Sequence, residues 1–94
     1  LRSDDRGNTA LMDAVAGGYS QIVEDLIEAG TDVNIQSKDG QTALIIAVGK
    51  GDVELCKKLL DAGADPDIED KLGLSARKYA KLFRNEALIN MMPS

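Results

Sequence analysis

The chain repeats itself every 33 residues, and this limits its folding more than any other feature. Gly7, Thr9, Ala10 and Leu11 return as Gly40, Thr42, Ala43 and Leu44. Further along, Ala14, Gly18, Leu26, Gly30 and Asp32 return as Ala47, Gly51, Leu59, Gly63 and Asp65. A third, weaker copy keeps Gly73, Ser75, Ala76 and Ala80 in the same register. A fixed period of this length implies stacked units, each burying its apolar face on its neighbours, rather than one closed core.

Each unit reads as two short helices. Gly40 suits a tight turn, Thr42 caps a helix running to about Val48, and Gly49 and Gly51 end it. Asp52 caps a second helix, Val53 to Ala62, whose stripe is Leu55, Cys56, Leu59 and Leu60. The first unit follows the same plan. Thr9 caps Ala10–Ala16, and Ser20 caps a helix from about Gln21 to Ala29 with Ile22, Val23, Leu26 and Ile27 on one face. In the third unit Arg84 stands where Gly18 and Gly51 stood, and Asn85 is the expected left-handed residue. Leu88, Ile89 and Met92 supply its second stripe before Pro93.

Gly-x-Thr-Ala-Leu, a run of small residues, a Gly, Leu-Leu or Leu-Ile, then Ala-Gly-x-Asp resembles the ankyrin repeat. The resemblance runs from about Asp4 to Met92. It implies an all-α solenoid of stacked helix-turn-helix pairs joined by hairpin-like loops, forming one domain over 1–94 with repeats at about 4–36, 37–69 and 70–94. The family's Thr-Pro-Leu-His is Thr9-Ala10-Leu11-Met12, Thr42-Ala43-Leu44-Ile45 and Ser75-Ala76-Arg77-Lys78 here. With proline and histidine both missing, local stabilisation should be weaker. Polar residues at formerly apolar positions make 71–94 a C-terminal cap. The first repeat has the character of an internal one, which implies further repeats upstream. Such an array sits near the roughly 5 kcal/mol lower end of domain stability. Its uncapped N-terminal face offers a route to self-association.

Several kinds of chemistry are disfavoured. The chain has no histidine, which removes the usual general base and the commonest zinc ligand. Cys56, the single cysteine, lies on an apolar stripe and reads as core rather than as a reactive thiol. Asp65, Asp67, Glu69 and Asp70 mimic a calcium loop, but its sixth and twelfth positions hold Asp70 and Ala76 instead of Gly and Glu. Gly49-Lys50-Gly51 lacks the remainder of a phosphate loop. No catalytic, cofactor or metal site is expected, and the chain is read as non-enzymatic.

A net charge of −5 and only three aromatic residues argue against a nucleic-acid binder. The charge is segregated, however. Residues 1–70 hold 15 acids and 6 bases, whereas 71–94 hold 1 acid and 5 bases. The basic end of one chain could meet the acidic body of another. There is no membrane-length apolar run, and a lone cysteine suits a reducing compartment, so an intracellular, cytoplasmic or nuclear setting is expected.

The resemblance implies binding of another protein through the hairpin tips and first helices. Residues fixed at the period hold the stack, and their variable neighbours are free to specify a partner. Around the turn glycines these are Asp5, Arg6 and Asn8; Lys38, Asp39 and Gln41; and Lys71, Leu72 and Leu74. On the first helices they are Asp13, Ala16, Ile46, Lys50 and Tyr79. Leu72 and Leu74 are apolar where a turn favours polar residues. They either form a contact site with Ile46 and Tyr79, rimmed by Lys38 and Lys71, or cover the edge of the cap's own core. The alternative to a binding module is a structural cap for a larger array, or a regulatory module of a multidomain protein.

Overall fold

Hydroxyl caps set the start of each repeat. Thr9, Thr42 and Ser75 have extended backbones, and each side chain accepts from the amide three residues on, at 3.2 Å in all three cases. The structure, a computed structural model, describes residues 9–92. Asp5, Arg6, Gly7, Asn8 and Pro93 lie outside the described residues. The helices are α1 (Ala10–Gly17), α2 (Ser20–Glu28), α3 (Ala43–Lys50), α4 (Val53–Asp61), α5 (Ala76–Leu82) and α6 (Glu86–Met91). Apart from these, the regular pairing among the described residues is one antiparallel bridge, Glu69 with Ser75.

The helices form two rows. α1, α3 and α5 stack side by side, and α2, α4 and α6 form a second row against them. α3 therefore has neighbours on three sides, and Ala43, Leu44, Ile45, Ala47 and Val48 are all buried. Leu11, Leu44, Leu55, Leu59 and Leu88 fill the layer between the rows. Burying one such leucine contributes about 1.5–3 kcal/mol.

Sequence and structure differ at two caps. The second helices begin after Tyr19, Asp52 and Asn85, which share one register. Asp52 and Asn85 accept from the amides of Leu55 and Leu88, whereas Tyr19 makes no side-chain cap. Ser20, expected to cap α2, is instead its first helical residue. The left-handed turn of the third repeat falls on Arg84 (φ 55°), not on Asn85 (φ −89°). Asn85 is already used as the cap of α6, so the turn has to occur one residue earlier, where Gly18 and Gly51 make it in the other repeats.

Ile22 also departs from expectation. At the same register Leu55 and Leu88 are buried, because α2 packs beside α4 and α4 beside α6. No described element lies beyond α2, and Ile22 is 49% exposed.

The loops stack as well. Ser37 and Gln41 close one hairpin, Asp70 and Leu74 the next, and the Lys71 amide donates across to the Asp39 carbonyl. Gln36 Nε2 donates to both the Gly40 and Glu69 carbonyls, tying the two hairpins together. Gly40 has φ +81°, and a Cβ there would meet Asp70 Cα at 2.8 Å. This glycine serves both the turn and the close approach of the next hairpin.

Candidate functional site

α1, α3 and α5 stack in one row, and the hairpins that lead into α3 and α5 are joined to each other. Asp13, Lys38, Asp39, Lys50, Lys71 and Leu72 are exposed; Gln41, Ile46, Leu74 and Tyr79 are half-buried. Asp39, Gln41, Lys71 and Leu72 come together around Asp70, lining a recess of about 330 Å³ between adjacent hairpins. Leu74 faces a separate groove, shared with Lys78, Lys81 and Leu82.

Asp70 is the hub of this region. One carboxylate oxygen accepts from the amides of Leu72 (2.9 Å) and Leu74 (3.1 Å). The other accepts from Gln41 Nε2 at 3.0 Å and from the Tyr79 hydroxyl. Burial raises the Asp70 pKa, but the hydrogen bonds from Tyr79, Leu74, Leu72 and Gln41 outweigh it and hold the carboxyl below its ordinary value. Hydrogen bonding to Asp70 pushes the Tyr79 hydroxyl upward, with burial adding to it. Leu72 leaves this hairpin 78% exposed, so it does not cover the third repeat's core.

Some variable residues have structural work. Lys50 Nζ donates to the Ala16 carbonyl at 2.9 Å, satisfying the end of α1 from the next repeat. Gln41 bridges two hairpins. Leu82 (62%) and Phe83 (56%) are among the exposed apolar residues that were missed from the sequence. The period could have found them, since Phe83 falls in register with Lys50 and Leu82 with Ala16. The Phe83 ring stacks on Tyr79, centroids 6.1 Å apart.

Other candidates resolve into structure. The Cys56 thiol is buried, and burial, with the nearby Asp52 charge, pushes its pKa up to about 12. The Asp65 carboxylate accepts from the Asp67 amide, and the Asn34 amide donates to Asp32 in the equivalent turn. Arg77 pairs with Asp67 and Lys78 with Glu69. Among the described residues no cluster of three His, Cys, Asp or Glu side chains could hold a metal ion. No described helix is long and apolar enough to cross a membrane.

The comparisons with known proteins agree with this architecture. The family profile for ankyrin repeats in three copies matches residues 1–70. The crystal structure of EF0377, an ankyrin repeat protein, superposes with a TM-score of 0.89 at 33% identity, over 95% of this chain and 48% of that one. The chain thus spans about half the length of that protein. No curated protein matches it. The repeat period, the stacked helix pairs and both matches make the chain a member of the ankyrin repeat family, whose repeats are generally protein–protein interaction modules.

Proposed function

We propose that this chain is a non-catalytic module that binds another protein through its hairpin tips and first helices. The observation that carries the reading is the division of labour between neighbouring positions. Ser75 and Ala76, fixed at the period, are buried, while Leu72, beside the same turn glycine, is 78% exposed. A large apolar side chain held in the open on a hydrogen-bonded hairpin favours contact with a partner. The hairpin is pinned through Asp70 before any partner arrives, so association costs little ordering entropy. Affinity capture with the domain and its Leu72→Asp variant tests this reading. A partner held by the first and lost by the second, at equal helicity, supports it.

A second reading is favoured by the third repeat. Lys78 and Lys81 take the places of the buried Ile45 and Val48 and are exposed. This polar face suits the solvent-facing end of a stack. Under the capping reading, Lys78→Ile with Lys81→Val drives self-association that sedimentation detects. A monomeric double variant contradicts it.

A further inference from the structure

We infer that the partner contacting the third repeat is an acidic peptide segment carrying apolar side chains, and that it seats along the outer face of α5. This rests on the protein-binding reading and names the class of partner. The seat is a groove of about 320 Å³ lined by Leu74, Lys78, Lys81 and Leu82. Two leucines and two lysines line it, and no acid does. Phe83, the C-cap of α5, is also exposed and stacks on Tyr79, outside the lining of the groove.

The charge around the groove is unlike that of the rest of the molecule. Seven of the chain's eleven basic residues fall in 38–50 and 71–84, and Asp39 is the only acid in those two stretches. The chain as a whole carries −5. These stretches, with Asp70, whose carboxylate is taken up by hydrogen bonds within the second hairpin, make up the two described hairpin tips with α3 and α5. Asp67 and Glu69, the nearby acids, are engaged by Arg77 and Lys78. Lys38, Lys71, Lys81 and Arg84 make no ion pair within the described residues. A groove of two leucines and two lysines, of which Lys78 is paired with Glu69 and Lys81 makes no ion pair within the described residues, complements carboxylates alternating with apolar groups. The acidic remainder of the chain repels such a segment elsewhere and steers it to this end.

The test uses fluorescence anisotropy with a short labelled peptide in which Asp and Glu alternate with Leu and Phe. Comparison probes replace the acids by Lys, replace the apolar residues by Ser, or substitute a single-stranded oligonucleotide. The expected result is binding of the first peptide alone, about tenfold weaker for Lys81→Glu and unchanged for Lys57→Glu on α4. Binding should also weaken as ionic strength rises from about 0.1 to about 1 M, which shortens the screening length from about 10 to about 3 Å. No binding, binding indifferent to Lys81→Glu, or retention of the oligonucleotide through the same lysines overturns the inference. Concentration-dependent self-association abolished by Lys81→Glu overturns it in favour of a second copy. A captured protein partner sensitive to Leu72→Asp but not to Lys81→Glu would leave the interaction reading standing and remove only this one.

Discussion

The Tyr79 hydroxyl donates a hydrogen bond to the Asp70 carboxylate, joining α5 to the tip of the hairpin that leads into it. The same carboxylate holds two amides of that hairpin and the Gln41 side chain of the previous one. Removing it leaves several donors without an acceptor, whereas removing the tyrosine hydroxyl costs one bond. Asp70→Ala should destabilise by about 2–3 kcal/mol and Tyr79→Phe by about 1 kcal/mol. The double variant should lose less than their sum, read from urea midpoints.

Acid and alkali should each weaken this hub. The folded-state pKa of Asp70 lies below its unfolded value, so its contribution is full above about pH 3.9 and is lost as pH falls through the folded value. Tyr79 is raised, so its contribution is full below about pH 10 and is lost as pH climbs through its folded value. Urea midpoints should therefore fall at both extremes. Asp70→Asn should flatten the acid limb.

Gly40→Ala should cost about 2–3 kcal/mol, because it combines a left-handed backbone with a Cβ 2.8 Å from Asp70 Cα. Gly63 has φ +95° but open space around its missing Cβ. Gly63→Ala should cost only the backbone term, about 1 kcal/mol. Equal losses in thermal melts would contradict the role given to the close approach.

Arg84 is the one described non-glycine residue with positive φ. Arg84→Gly should stabilise by roughly 0.5–1 kcal/mol, the relief of left-handed strain less the added entropy of the unfolded chain. A lower melting temperature would show that the Arg84 side chain contributes more than its backbone costs.

Cys56 should resist thiol reagents in the native protein. It is fully buried and its pKa is pushed up to about 12, so labelling requires opening of the stack. Labelling rates should rise with urea in step with unfolding. Rapid labelling without urea would contradict this.

Much of the fold was legible because the repeat states the same local rules more than once. Thr9, Thr42 and Ser75 share a register, and each caps a helix. What could not be read depends on neighbours. Ile22 has the sequence of a buried stripe residue, but its burial depends on what lies beyond α2. The Asp70 hub was hidden because the second repeat has Ser37 at that position, and only the folded hairpin brings Gln41 and Tyr79 to the carboxylate. The turn at Arg84 was misplaced because Asn85 suits two roles, and capping α6 decided between them. Among the site candidates, the odd company of Leu72 in a turn singled it out, but whether it faced solvent or covered the cap's core was settled only by the folded hairpin. Leu82 and Phe83 were missed although their register with Ala16 and Lys50 pointed to the surface, because the third repeat keeps few of the period's landmarks around them.

The most direct test of the interaction surface compares three proteins as bait against the same partner pool: the unmodified chain, Leu72→Asp, and Lys57→Glu on the exposed face of α4. Helicity and melting temperature are matched first. A partner should be retained by the unmodified chain and by Lys57→Glu, and lost by Leu72→Asp. A partner that survives Leu72→Asp and is lost with Lys57→Glu would place binding on the second helices and rule out the hairpin tips as the binding surface.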